Sequence, residues 1–275
     1  VRDNASRKPQ LEERRRPHML RLENINKTFN RGTVDEKILF SDFNLTLTPG
    51  EFAAVVGSNG SGKTTVLNII SGDVLPESGK VFLDGEDISS RKNYVRARKI
   101  ARVFQDPSMG TCPSMTIYEN LSIADNKGKR FGLGRGLNRR RLDFYRETLS
   151  ELGMGLEDRL GTKAQALSGG QRQALALIMA TLSQPALLLL DEHTAALDPK
   201  SADTVMELTD RIIREHSLSA IMVTHNLRYA VEYGTRSIMM HEGQIVMDVS
   251  GAARGALSID DYLARFNEIS IECGN

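Results

Sequence analysis

The run Phe52-Ala53-Ala54-Val55-Val56-Gly57-Ser58-Asn59-Gly60-Ser61-Gly62-Lys63-Thr64-Thr65 sets the architecture of everything around it. Phe52 to Val56 is short and apolar, the composition of a buried strand. It leads into a loop with glycines at 57, 60 and 62, and from Lys63 onward Val66, Leu67, Ile69 and Ile70 recur as a helix would place them. Strand, loop and helix in this order satisfy G-x-x-x-x-G-K-[ST], in which backbone N–H groups curl around phosphate oxygens. The helix start presents unpaired N–H groups and a positive dipole end to the same anion. Lys63 is placed to reach the β- and γ-phosphates of a nucleotide, and the Thr64 hydroxyl to ligate Mg²⁺. A chance match in 275 residues has a probability on the order of one in a hundred. The flanking elements lower it further, because a loop in the wrong context could not aim its amides.

The alternation continues outward. Strands are expected at Lys80–Leu83, Ala101–Gln105, Leu187–Asp191, Ala220–Thr224, Arg236–His241 and Gln244–Asp248, separated by helical stretches such as Lys200–His216. That pattern predicts a mainly parallel sheet covered by helices. Leu20 to Leu47 instead alternates in short bursts, L-R-L-E-N-I and F-N-L-T-L, before the turn at Pro49-Gly50, and reads as antiparallel strands. Between Gln105 and Ser168 polar and basic residues dominate, and amphipathic stretches cover Thr116–Ala124 and Arg139–Leu152. This interval, about 106–167, reads as a helical subdomain inserted into the sheet. Ser258–Phe266 reads as a short helix capped by Ser258, within a C-terminal extension over 251–275.

Composition narrows the class. Hydrophobic residues make up 40% and charged residues 26%, near the averages for globular chains. A net charge of +1 removes the simplest electrostatic argument for nucleic-acid binding. Two cysteines, Cys112 and Cys273, with no C-x-x-C spacing argue against a zinc site or a disulfide framework and for a reducing compartment. The most apolar stretch, Ala174–Leu182, is nine residues long, well short of the ~20 needed to cross a bilayer as a helix. Residues 1–18 carry Arg2, Arg7, Lys8, Arg14, Arg15 and Arg16 without a following apolar segment, and read as a solvated basic tail rather than a secretory signal.

A second glycine turn, Leu167-Ser168-Gly169-Gly170-Gln171, enters a helix running through Ala174–Leu182. Alone it reads either as an ordinary helix cap with Ser168 at the N-cap or as another anion site. Five fixed residues arise by chance in this length with odds of a few in ten thousand. The apolar strand Leu187–Leu190 then ends in Asp191-Glu192, 20 residues beyond Gln171; two solvated acids after a strand would not explain that separation.

With these motifs in register, residues 19–250 closely resemble the nucleotide-binding subunits of ABC transporters. The resemblance implies an α/β P-loop NTPase of the ABC ATPase type, with a mainly parallel core sheet, an N-terminal antiparallel β-subdomain and an inserted α-helical subdomain. It implies ATP and Mg²⁺ as ligands, and two subunits associated head to tail with each ATP between the phosphate loop of one and the LSGGQ turn of the other. Ser168, Gly169, Gly170 and Gln171 would then serve the partner's nucleotide, and Asp198, in A-A-L-D, would lie near the opposite active site. Asp191 would help hold Mg²⁺ through water and Glu192 would be the general base for the attacking water. Gln105 resembles the family's switch glutamine, which senses Mg²⁺ and water, and His225 the switch histidine that touches the γ-phosphate. Phe29 matches the aromatic that stacks on adenine, with core packing as its alternative.

The same resemblance implies an ATP hydrolase peripheral on the cytoplasmic face of the cell membrane. Its partners would be transmembrane permease subunits, a second ATP-binding subunit and, indirectly, a substrate-binding protein, with no nucleic acid. The phrases D-E-H-T-A-A-L-D-P-K and M-V-T-H-N-L-R-Y-A-V-E-Y-G-T-R-S-I-M-M-H-E-G resemble a bacterial importer branch associated with aromatic amino acids. A non-transport ABC ATPase, such as one for iron–sulfur cluster assembly, and an exporter or lipoprotein-release motor remain as alternatives. His193 stands where most relatives have proline and reads as a tolerated turn residue, with titration near neutrality as the alternative. Seven basic residues from Lys127 to Arg141, with no acid among them, read as a solvated loop or as a face for anionic lipid or an acidic permease patch.

Overall fold

The computed structural model describes residues 19–129, 136–137 and 139–272. The basic tail at 1–18, Arg130, Arg135 and Cys273 lie outside the described residues.

Two sheets share the chain. β1 (Leu20–Phe29), β2 (Lys37–Leu47), β4 (Ser78–Leu83) and the two-residue β5 (Glu86–Asp87) form an antiparallel sheet in the order β2-β1-β4-β5. β3 (Phe52–Gly57), β6 (Ile100–Val103), β7 (Leu187–Asp191), β8 (Ser219–Val223), β9 (Arg236–His241) and β10 (Gln244–Ser250) form a second sheet in the order β10-β9-β3-β8-β7-β6. Its neighbours run parallel except β9 and β10, which form an antiparallel hairpin. β3, β7 and β8 are buried at every position, as strands covered on both faces must be.

Successive side chains on those strands enter opposite cores. Ala54, Val56, Leu188, Leu190 and Met222 face a core shared with Gly169–Thr181 and Pro199–Glu215, two long helices that cover one side. Ala53, Val55, Leu189, Ile221 and Val223 face the other core, closed by Val66, Leu67 and Ile70 of helix Lys63–Ser71 and by Leu20, Leu22, Phe40 and Leu47 of the antiparallel sheet. The antiparallel sheet therefore packs on the helix that follows the glycine loop.

Within the interval read as a helical insertion, Ile117–Asp125 and Leu142–Ser150 are α-helical. The first is closed by a capping box between Thr116 and Glu119. Two residues of the basic stretch, Lys129 and Arg141, pair with an acid that precedes it. Asp125, nearly buried, accepts two hydrogen bonds from Arg141 at 2.9 and 3.1 Å, one from Lys129 at 3.2 Å and one from the Tyr145 hydroxyl at 2.9 Å. Burial works to raise the Asp125 pKa, and the bonds from Tyr145 and Lys129 with the Arg141 charge outweigh it and hold it low. Burial, with Asp125 alongside, pushes the Tyr145 phenol up to about 12. At the C-terminus the helix runs over Ile259–Glu272, longer than the sequence pattern suggests, and Ser258 and Asp261 cap it reciprocally.

Candidate nucleotide site

The phosphate loop is shaped by what its glycines touch. Gly57, at φ 153°, pairs with Met240 of β9, and a Cβ there would sit 2.1 Å from the Met240 carbonyl oxygen. Gly62, at φ 103°, lies against the Phe40 ring, where a Cβ would come within 2.8 Å. These glycines seat the loop on both sheets as well as baring its amides. Gly62 is the N-cap of helix Lys63–Ser71 and supplies no side-chain cap, leaving the first-turn N–H groups for another acceptor. At the other end of the helix, Arg96 donates to the carbonyls of Ile69 and Ile70 at 2.7 and 3.1 Å, a cation where the dipole favours one.

Lys63 is buried and donates to the Gly57 and Ser58 carbonyls at 2.8 and 2.9 Å, so its ammonium lies inside the loop. Burial lowers its pKa, opposed by the negative charges of Glu192 and Asp191. Phe29, Asn59, Gly60, Gly62, Lys63, Thr64, Thr65, Glu192 and His225 line one pocket of about 280 Å³. His225 Nε2 stands 2.8 Å from Glu192 Oε1. Glu192 takes a left-handed backbone, φ 48°, at the end of β7, fixed by bonds from its N–H to the Val223 carbonyl and from the Ala195 N–H to its own carbonyl. Phe29 is half-exposed at the pocket edge, with the Lys27 ammonium 5.1 Å from its ring centre.

Thr64, Gln105 and Asp191 line the adjoining cleft of about 710 Å³. The Thr64 hydroxyl is 3.4 Å from Asp191 Oδ1. A hydroxyl, an amide and one carboxylate are hard oxygen donors that fit Mg²⁺ sharing its shell with phosphate oxygens and water. No cluster of three or more His, Cys, Asp or Glu side chains able to hold a metal exists among the described residues, so the ion fits here only together with a phosphate ligand. Gln105 lies beyond the end of β6, which stops at Val103 rather than continuing to Gln105.

Ser168, Gly169, Gly170, Gln171 and Asp198 line neither of these cavities. Ser168 caps helix Gly169–Thr181 in a reciprocal box with Gln171, both bonds at 3.2 Å. Asp198 caps helix Pro199–Glu215 by accepting from the Ser201 N–H at 3.1 Å. A Cβ on Gly170 would come within 3.0 Å of the Ser201 side chain, so the two caps lie against one another. Ser168 and Gly169 are exposed.

Two features escape the sequence. His193 does lie in a turn, but a buried one: it is 2% exposed, its Nε2 is 3.1 Å from the Thr209 hydroxyl, and burial pushes its pKa down to about 4, far from neutrality. Arg102, unremarkable within A-R-V-F, reaches Asp191 Oδ2 at 2.5 Å, Asn68 Oδ1 at 2.7 Å and Asp73 Oδ2 at 3.3 Å. Its partners lie 89, 34 and 29 residues away along the chain.

Comparison with known proteins identifies the family. The family model described as ABC transporter matches residues 40–195. A tyrosine transport ATP-binding protein of Clostridioides difficile is 46% identical over 248 residues, covering 90% of this chain and 98% of that protein. A phosphonates import ATP-binding protein of Alcaligenes faecalis is 33% identical, covering 86% and 84%. Among solved structures, a dimeric ATP-binding cassette in a post-hydrolysis state with ADP and Pi superposes with TM-score 0.72 at 29% identity, covering 84% of this chain and 98% of that one. The chain belongs to the ABC transporter family, and is one of its ATP-hydrolysing, nucleotide-binding cassettes.

Proposed function

We propose that this cassette, residues 19–250 with a helical subdomain at about 106–167, powers a bacterial importer of a small solute, with an aromatic amino acid as the cargo class. The observation that carries the motor is the convergence of Lys63, Thr64, Glu192 and His225 on one pocket. Similarity to the tyrosine transport protein supports the cargo class.

ATP enters with adenine on Phe29 and its phosphates in the loop from Gly57 to Thr65, where Lys63 exchanges its carbonyl partners for phosphate oxygens. Thr64, Gln105 and Asp191 would hold Mg²⁺, which would supply charge neutralisation at the phosphates. Glu192 accepts the proton of a water whose oxygen bonds to the γ-phosphorus as the bond to the β,γ-bridging oxygen breaks, leaving ADP and phosphate. His225 contacts the γ-phosphate and orients it. A second copy supplies Ser168 to Gln171 and Asp198 across the seam. Because both copies touch the γ-phosphate only when closed, ATP has the differential affinity needed to shift the pair toward closure. Permease subunits at the cytoplasmic face of the membrane convert closure into transport, with cargo delivered by a substrate-binding protein and no nucleic acid involved.

Affinity purification from detergent-solubilised membranes tests this. Co-purification of a small polytopic protein, whose reconstituted complex hydrolyses ATP faster with tyrosine and its binding protein, supports the reading. Recovery of ribosomes or soluble scaffold proteins instead overturns it.

A further inference from the structure

We infer that Arg102 is a built-in counter-charge for Asp191, which lets metal-free ATP approach the site and raises the Mg²⁺ concentration the site requires. The inference rests on the nucleotide site proposed above and concerns a residue with no role in it so far.

The guanidinium divides the Asp191 carboxylate. Nη2 donates to Oδ2 at 2.5 Å, while Oδ1 faces the Thr64 hydroxyl at 3.4 Å. Arg102 is locked from its other side by Asn68 Oδ1 at 2.7 Å. Asn68 stands four residues after Thr64, one turn along the same helix. The Phe104 ring lies 4.8 Å from the guanidinium carbon, adding a cation–π contact on the chain leading to Gln105. One side chain thus ties the edge strand to the helix of the phosphate loop and to the end of β7.

Charge accounting gives the consequence. The Arg102 and Asp191 side chains are 11% and 13% exposed, so solvent screens them weakly. Around the phosphate loop, Lys37, Lys63 and Arg102 are set against Asp191, Glu192 and, at the exposed edge, Asp73, which is 44% exposed. Removing the Arg102 charge leaves carboxylates in excess beside the loop. That excess repels an ATP without its metal and attracts a divalent cation, so the two affinities move in opposite directions. A packing role alone moves them together.

The test uses the full chain, a fluorescent ATP analogue with EDTA for metal-free binding, and Mn²⁺ read by electron paramagnetic resonance in the presence of ATP. In Arg102→Gln, metal-free analogue affinity falls and Mn²⁺ affinity rises, each by about fivefold to tenfold. Arg102→Lys keeps the charge and stays within about threefold of wild type in both. Should Arg102→Gln fail to fold, Arg102→Met fills the stem's volume without the charge and carries the same comparison. Parallel loss of both affinities, or no change in either, overturns the counter-charge role while leaving the site intact. A wild type that binds neither analogue nor Mn²⁺ sinks the nucleotide site itself.

Discussion

His225 Nε2 and Glu192 Oε1 meet at 2.8 Å, so the two side chains assigned to a single γ-phosphate hold one another beside the loop that would receive it. The pair joins two strand ends: Glu192 follows β7 and His225 follows β8, neighbours in the parallel sheet. Glu192→Gln keeps the size and a bond to His225 but cannot accept the proton of water. Hydrolysis is expected to fall by about a hundredfold or more, with ATP affinity within about twofold and an ATP-dependent dimer on gel filtration. Retained turnover would reassign the base.

The Ser168 turn separates a structural from a catalytic contribution. Its hydroxyl already caps a helix, so Ser168→Ala removes the cap, at about 1 kcal/mol, along with any contact to a partner's nucleotide. Ser168→Asp preserves the cap and adds a negative charge at an exposed position. The expected outcome is an unchanged melting temperature, hydrolysis reduced by tenfold or more, and a monomer in ATP when combined with Glu192→Gln. Normal hydrolysis by a strictly monomeric Ser168→Asp protein would remove the shared-site geometry.

The contrast between Lys63 and Arg102 shows what the sequence made legible. Lys63 sits in a contiguous strand–loop–helix whose glycines and apolar spacing report local geometry, and the buried runs at Phe52 and Leu187 announce a sheet covered on both faces. Arg102, Arg96 and His193 act through partners 89, 27 and 16 residues away. Nothing in their immediate neighbours encodes those contacts. Asp125, just before the basic segment, engages Lys129 four residues on and Arg141 sixteen residues on.

That acid predicts a stability effect in the helical region. Asp125→Ala removes the acceptor of the buried Tyr145 hydroxyl and frees Arg141, which is 36% exposed and able to turn to water. A loss of about 1–3 kcal/mol is expected, mainly from the phenol donor left without its carboxylate. The companion Asp125→Ala, Tyr145→Phe protein should recover part of it. Urea unfolding of the single and double variants reads both values, and equal stability of Asp125→Ala and wild type would show that the cluster contributes nothing.

His193 makes the fold sensitive to mild acid. Its pKa falls from 6.5 unfolded to about 4 folded because burial disfavours the cation, so the unfolded chain binds the proton first as pH drops. The neutral ring's contribution is fully present above the unfolded value and is lost between pH 6.5 and about 4, up to about 3 kcal/mol. His193→Gln can still bond to Thr209 but has no proton to gain. Carboxylates titrate in the same window in both proteins, so the informative quantity is the difference between the two melting curves as a function of pH. Wild type should lose its advantage over the variant as pH falls from 7.5 to 5, and a difference that stays constant would mean that the folded chain protonates His193 as readily as the unfolded one.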